Sequence, residues 1–258
     1  MFMTLAEWRA SPKSDLVRAA STLETIDGLN TMTVGTSPTT WRVPDTKICA
    51  PSQSVKRSEL LYVNINPETD RARTAFEKSS GKTAWNALYP RKCTRKSCLE
   101  ALFENEFTFN DFGTTTARYL ERMRTAEFAA SLEGNSVDCH RTYEALVCGA
   151  VPIVERAHEY HLRNVYGAVP LVFTDDYTEI TLGYLHEQLA QIHTQTYDWS
   201  RLHFRNLTPQ EQATITHRTP VWARATRNGW GEPPLKWQRQ RKAYTREVER
   251  KMLGKNIN

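Results

Sequence analysis

The sequence predicts an α/β fold in which helices cover both faces of a mostly parallel β-sheet. Short apolar runs at Leu60–Ile65, Val151–Val154 and Pro170–Phe173 are typical of buried parallel strands. Helical patterns alternate with these runs, and Thr181–His193 repeats its leucines with helical spacing. A fourth candidate strand, Glu127–Ser131, leads through a Gly-Asn-Ser loop into a helix. Such alternation indicates βαβ units and therefore parallel strand pairing.

The first 55 residues differ in character from the rest of the chain. Asp15–Thr25 predicts one amphipathic helix, with Leu16, Ala19, Ala20 and Leu23 on one face. After it come Asp27-Gly28, several prolines, and many threonines and serines, which predict turns and short strands. This region is too short to form a full Rossmann-like domain of its own.

From Glu59 onward the elements follow in regular order. The strand Leu60–Ile65 precedes a predicted helix at Arg71–Ser79, and another helix closes at Tyr119–Met123. Cys139–Cys148 predicts a helix that stops at Gly149, since glycine is the usual residue just past a helix end. We therefore divide the chain into an N-terminal region at 1–57, a Rossmann-like domain at 58–235 and a C-terminal basic helix at 236–258.

The C-terminal segment from Trp237 to Lys255 is rich in Lys, Arg and Gln. One interpretation is a helix that binds nucleic acid. The interpretation we prefer is a solvated amphipathic helix, which would pack through Trp237, Tyr244, Val248 and Met252.

The charge of the chain favours anionic ligands without indicating nucleic acid. The net charge is +5 and the sequence pI is about 8.9. A mildly basic surface suits a nucleoside diphosphate but is too weak to predict nucleic-acid binding. The N-terminal segment lacks the apolar core of a signal peptide, and no window reaches the roughly 18 apolar residues of a membrane span. These features predict a soluble, cytoplasmic protein with no membrane span.

The pattern of the five cysteines is also consistent with a cytoplasmic location. Their number is odd and their spacing irregular, and although Cys93 and Cys98 loosely resemble a metal clip, no second Cys or His pair follows nearby. We therefore expect free thiols in a reducing environment. The cysteines are Cys49, Cys93, Cys98, Cys139 and Cys148.

The stretch from Gly134 to Val154 has the chemistry of an anion site. Gly134 lets the backbone approach a ligand closely, and Asp138 is well placed to be the N-cap of the following helix. A helix N-terminus after such a loop offers free N–H groups and the positive end of the helix dipole to a diphosphate. Arg141 and Glu144 lie three residues apart on one helix face. The guanidinium can pair with phosphate oxygens, and the carboxylate can accept hydrogen bonds from ribose hydroxyls. Spacing alone gives equal weight to a simple surface ion pair between the two.

This stretch resembles the nucleotide-binding motif of exostosin-like glycosyltransferases. In that family a glycine-rich loop runs into Asp-Cys-His-Arg-Thr-aromatic-Glu-Ala-Leu, followed by glycine, a small residue and a Pro-Ile-Val strand. Two flanking segments, Leu60–Thr69 with Arg73 beyond it, and Asp175–Thr181, also look like family segments. The resemblance covers about residues 59–195 and rests on three motifs in the same order.

The resemblance implies a two-lobed GT-B architecture with a reduced N-terminal lobe. It implies an enzyme that transfers a sugar with inversion from a UDP-sugar donor to a glycan or glycoprotein hydroxyl, without a cofactor. By carry-over, Glu144 holds the ribose, while Arg141 and the loop residues face the diphosphate. The donor-binding set is Asn64, Arg73, Gly134, Asn135, Asp138, Arg141 and Glu144. The alternative is a nucleotide-sugar- or glycan-binding protein that has lost catalysis.

One residue departs from the family pattern at the donor loop. The family commonly has Ser-Pro-Arg-Gly where this chain has Ser131-Leu132-Glu133-Gly134. Glu133 therefore places a negative charge close to a dianion. We expect either that Arg73 or Lys82 compensates, or that donor binding is weakened.

The sequence also limits the metal and the catalytic base. No Asp-x-Asp pair occurs, so we expect no metal on the diphosphate. No histidine precedes His140, so a base from the N-terminal region must be a carboxylate. We rank Asp27 first and His140, acting from the donor side, second. The N-terminal carboxylates considered are Glu7, Asp15, Glu24, Asp27, Asp45 and Glu59.

Overall fold

A four-stranded parallel β-sheet forms the centre of the computed structural model. The structure describes residues 1–11, 56–67, 94–107, 110–133 and 139–212, all within the compact unit Met1–Arg218. The strands of the sheet are β2 (Glu59–Tyr62), β3 (Ala126–Ala130), β4 (Val151–Glu155) and β5 (Val172–Thr174). Their order in the sheet is β2-β3-β4-β5, so strands adjacent in this part of the sequence are adjacent in the sheet. The predicted α/β class with a parallel sheet is confirmed.

The register of the sheet aligns the carboxyl ends of β2, β3 and β4. Tyr62 pairs with Ala129 between β2 and β3, and Ala130 pairs with Ile153 between β3 and β4. The residues that follow these strands therefore meet at one edge of the sheet, where ligands of open α/β sheets bind. β3 and β4 are almost wholly buried, which explains their near-continuous apolar sequence.

Helices connect and cover the strands. Within the described residues they are α1 (Leu5–Ala10), α2 (Arg95–Glu104), α3 (Thr116–Thr125), α4 (His140–Val147), α5 (Glu159–Tyr166) and α6 (Leu182–His193). α3 packs against β3, and α4 packs against β4. Four of the helices begin at a threonine whose hydroxyl accepts a backbone N–H hydrogen bond, which satisfies one free helix donor each. These N-caps are Thr4, Thr94, Thr115 and Thr181.

Helix α4 ends as the sequence predicts but begins differently. Gly149 has φ of +72°. The N–H of Ala150 donates to the carbonyl of Ala145, and that of Gly149 to the carbonyl of Leu146, which is a Schellman end. The prediction that Asp138 is the N-cap is wrong by one residue, because the N-cap is Cys139, whose side chain makes no capping bond. The Cys139 thiol instead contacts Ser131, Thr142 and the carbonyl of Leu132.

The N-terminal residues pack onto the body of this unit. β1 (Phe2–Thr4) pairs antiparallel with β6 (Thr196–Asp198). The rings of Trp8 and Trp199 stack with centroids 4.6 Å apart, and both are fully buried. Residues 12–55 lie outside the described part of the chain, so the domain boundary at residue 57 stays a prediction. The predicted helices at Asp15–Thr25, Arg71–Ser79 and 236–258 also lie outside it.

The prediction of free thiols is wrong for two cysteines. Cys98 and Cys148 are disulfide-bonded, whereas Cys139 is a free thiol. Irregular spacing cannot reveal such bonds, because a disulfide depends on the distance between two Cα atoms in the folded chain. Cys49 and Cys93 lie outside the described residues. Within the described ranges, no helix has the length and apolar character needed to cross a membrane.

Candidate donor-binding site

The site is built at the carboxyl end of β2. Tyr62, the last residue of β2, and Asn64 lie two residues apart in extended chain and therefore point to the same side. The Asn64 amide donates to the Tyr62 hydroxyl at 3.2 Å and to the Asp111 carbonyl at 2.9 Å. The Tyr62 hydroxyl in turn donates to Asp111 Oδ2 at 3.2 Å. All three side chains are buried, so this polar network is held in a fixed arrangement.

A turn after α2 supplies the second side of the network. Asn110 makes two hydrogen bonds with the backbone of Ile65, one from the Ile65 N–H and one to its carbonyl, both 2.9 Å long. The Asp111 N–H donates to the Val63 carbonyl at 3.0 Å. These contacts tie the residues that follow β2 to Asn110 and Asp111 and fix the position of Asn64 between them.

Arg141 reaches this network from the first turn of α4. Its Nη2 donates to Asn64 Oδ1 at 3.4 Å, so the structure brings together two residues of the predicted donor-binding set. Arg141 Nε is buried and has no hydrogen-bond partner among the described residues. Burial opposes the guanidinium charge, but Tyr119, Cys139, Tyr62 and Glu144 together outweigh it and raise the pKa of Arg141. The arginine therefore stays cationic beside the N-terminus of α4.

Glu144 lies one helical turn further along α4 and is only 2% exposed. Its Oε2 accepts a hydrogen bond of 2.8 Å from the Tyr119 hydroxyl on α3. Burial and the Glu144 charge raise the pKa of Tyr119 well above its usual value, so the phenol remains a donor. A surface ion pair between Arg141 and Glu144 does not describe this arrangement, because Glu144 is inside the protein.

Two of the candidate bases are occupied by structural contacts. The Glu7 carboxylate forms the capping box of α1 with Thr4. The Glu59 carboxylate accepts two hydrogen bonds from the Arg122 guanidinium, the longer of them 2.9 Å. His140 is the first residue of α4 and is half-buried. The other N-terminal candidates, Asp15, Glu24, Asp27 and Asp45, lie outside the described residues.

The Glu133 side chain contacts His158. It is fully buried, and its Oε2 lies 3.1 Å from His158 Nε2. The expectation that Glu133 weakens donor binding unless Arg73 or Lys82 compensates stays a prediction. The loop after Glu133, with Gly134, Asn135 and Asp138, lies outside the described residues, as do Arg73 and Lys82.

Sequence reasoning missed four residues that build the site. Tyr62 was hidden in an apolar strand, although its spacing of two from Asn64 is a usable signal. Asp111 stands in an Asn-Asp-Phe-Gly turn, and Tyr119 on a helix whose partner could not be identified. Arg95, on α2, is buried and donates from Nε to the Glu133 carbonyl at 2.8 Å and from Nη2 to the Leu132 carbonyl at 3.1 Å.

Comparison with known proteins supports the exostosin-like relationship. Residues 69–195 match the family model of the RXYLT1 C-terminal domain. The matched range is just under half of the chain and includes α4, Arg141 and Glu144. The match associates this part of the chain with a glycosyltransferase-related family. No curated protein matches the chain.

Proposed function

We propose that this protein is a glycosyltransferase that moves a sugar from a nucleoside diphosphate donor, a UDP-sugar, to a glycan hydroxyl. The observation that supports this most directly is the position of Arg141. It is a cationic side chain with a buried, unbonded Nε among the described residues, at the carboxyl edge of a parallel sheet and beside a helix N-terminus. Both features favour an anionic ligand such as a diphosphate.

In this proposal the donor lies along the N-terminal end of α4. Arg141 and the loop residues Gly134 and Asn135 face the diphosphate, with Asp138 and Arg73 as further members of the set. A carboxylate has about four acceptor sites. Glu144 can therefore accept hydrogen bonds from the ribose hydroxyls as well as from Tyr119. Asn64 positions the Arg141 guanidinium through their 3.4 Å contact.

We propose that the transfer inverts the anomeric centre and needs no metal on the diphosphate. The chain has no Asp-x-Asp pair to hold such a metal. Arg141 and the dipole of α4 would stabilise the charge that develops on the leaving diphosphate. Inversion requires one group to take the proton from the acceptor hydroxyl, and Asp27 followed by His140 are the candidates.

The disulfides bear on where this reaction takes place. Because Cys98 and Cys148 are disulfide-bonded, we propose an oxidising compartment such as the lumen of the secretory pathway. This proposal replaces the cytoplasmic location expected from the sequence. Glycan and glycoprotein acceptors are consistent with such a compartment.

Donor binding and transfer can be tested on the whole chain. UDP at 100 times its dissociation constant should stabilise the protein by roughly 2.7 kcal/mol. GDP at the same concentration should stabilise it by less. UDP affinity, measured by calorimetry, should be the same in Mg²⁺ and in EDTA. Arg141→Met should abolish the UDP effect, whereas Lys96→Gln, which removes an exposed charge on α2, should not change it.

Activity is then measured with a panel of UDP-sugars. Hydrolysis or transfer of one donor would support the enzyme. UDP binding without either reaction would favour the alternative, a binding protein that has lost catalysis. Absence of UDP binding in the folded wild-type protein would contradict both.

A further inference from the structure

We propose that Glu133, Glu155 and His158 form a buried site for a divalent transition-metal ion. The proposal does not depend on the glycosyltransferase function. It concerns three side chains that lie between the ends of β3 and β4, and none of them belongs to the donor-binding set.

The fold brings the three residues together from two neighbouring strands. Glu155 is the last residue of β4, and Glu133 lies three residues beyond the end of β3. The Ser131 N–H donates to the Ile153 carbonyl at 2.9 Å, which keeps the segment after β3 in register with β4. The 3₁₀ turn Arg156–His158 then folds His158 back over Glu155.

The donor atoms have the separations of metal ligands. His158 Nε2 lies 3.1 Å from Glu133 Oε2 and 3.3 Å from Glu155 Oε2, and one ligand atom from each of the three residues lies within 4.8 Å of the others. In a tetrahedral site with bonds of about 2.0–2.1 Å, neighbouring ligand atoms are about 3.3 Å apart. A single Nε2–H can point directly at only one of the two carboxylates, whereas a metal ion could be coordinated by one atom from each of the three side chains.

Burial adds an electrostatic reason for a cation. The exposed fractions of the Glu133, His158 and Glu155 side chains are 0%, 2% and 11%. Two carboxylates that approach the same nitrogen in a low-dielectric interior repel each other, and a divalent cation between them offsets this repulsion.

The donor set selects the class of metal. One imidazole and two carboxylates suit zinc, manganese or iron, whereas Mg²⁺ and Ca²⁺ prefer oxygen-only sites. A bound ion would link the end of β3 to the end of β4 and hold Glu133, the residue directly before Gly134. We therefore expect a structural role for the metal.

The test uses the full chain, stripped with a chelator and titrated with Zn²⁺. We expect one zinc per chain by elemental analysis and a rise in Tm of several degrees, with no comparable rise for Mg²⁺. Co²⁺ bound at this site should give visible absorption bands typical of a low coordination number. If the folded wild-type protein takes up no stoichiometric zinc and its Tm does not respond, the proposal is wrong and the three side chains form only a hydrogen-bonded cluster.

Matched variants locate the zinc. Glu155→Gln should lose zinc binding and the Tm response, whereas Glu159→Gln and His161→Gln, which alter neighbouring residues outside the three, should keep both. Zinc binding by Glu155→Gln at wild-type strength would place the ion elsewhere and overturn the proposal. If Glu155→Gln does not fold, the wild-type Zn²⁺, Mg²⁺ and Co²⁺ titrations still decide whether a transition-metal site exists.

Discussion

Arg141 keeps its charge because its neighbours outweigh its burial. A buried guanidinium loses hydration, which lowers its pKa, but Tyr119, Cys139, Tyr62 and Glu144 raise it by more. Asn64 holds the side chain in place by accepting a hydrogen bond from Arg141 Nη2. An arginine that is both charged and preorganised gives up little conformational entropy when it binds an anion.

Glu144→Gln should weaken UDP binding by about 1–3 kcal/mol, the usual cost of removing a hydrogen-bonding partner in a buried site. Because Glu144 also accepts from Tyr119, replacing the charged acceptor by a neutral amide should weaken that hydrogen bond and lower the free energy of unfolding as well. Tyr119→Phe is the matched control, since it removes the hydrogen bond to Glu144 and leaves the carboxylate. Calorimetry with UDP separates the two effects. Equal loss of UDP affinity in both variants would mean that Glu144 acts only through Tyr119.

Asp27→Asn should cut turnover by roughly 10²-fold or more while UDP affinity stays the same. An amide cannot take the proton from the acceptor, but it occupies nearly the same volume as the carboxylate. Steady-state rates and UDP calorimetry on the same preparation measure this. Full activity in Asp27→Asn would transfer the role to His140, which His140→Gln then tests.

At the scale of secondary-structure elements, the sequence predicted the features that depend on residues close together in the chain. The sequence predicted the ends of the four sheet strands to within three residues, and Gly149 predicted the end of α4. Strand Leu60–Ile65 proved shorter, because after Tyr62 the chain bonds to Asn110 and Asp111 instead of a strand. The start of α4 was displaced because the Cys139 N-cap depends on contacts with Ser131 and Thr142, which sequence spacing cannot show.

Gly149→Ala should lower the free energy of unfolding by about 1 kcal/mol or more, because a residue with a Cβ is strained at positive φ. An added Cβ would also lie 2.7 Å from Arg9 Cγ and 2.8 Å from Arg57 Nη2. Gly183→Ala is the control, since nothing lies within 4 Å of its added Cβ. Inside α6 that change should be neutral or stabilise the protein by up to about 1 kcal/mol. Denaturant unfolding measures both variants, and equal stability of the two would show that α4 tolerates another ending.

At the scale of the whole molecule, contacts between distant segments were beyond sequence reasoning. Trp8 Nε1 donates to the Leu146 carbonyl at 2.7 Å, and Trp199 Nε1 to the Met3 carbonyl at 3.1 Å. These bonds join the first residues to α4 and to the segment after β6, so residues 1–10 help to hold the element that carries Arg141. No local pattern indicates such pairing. The site residues Asp111 and Tyr119 were missed for the same reason, since both act through partners far away in sequence.

The cysteines give the whole-molecule prediction that most directly tests the proposed compartment. In protein purified without reductant, peptides that contain Cys98 or Cys148 should resist alkylation, because both cysteines are disulfide-bonded. Cys139, a half-buried free thiol, should react without reduction and serves as the internal control. Mass spectrometry of the digested protein measures the labelling.

Reduction should then expose Cys98 and Cys148 and lower the stability, because removing a native disulfide typically costs about 2–4 kcal/mol. The loss arises mainly because the reduced unfolded chain gains conformational freedom, so it should appear as a fall in Tm even where native contacts persist. Protein made in a reducing cytosol should show the same low Tm until it is oxidised. Labelling of Cys98 and Cys148 in the folded, unreduced protein, together with a Tm that does not respond to reductant, would remove the physical argument for an oxidising compartment and restore the cytoplasmic expectation.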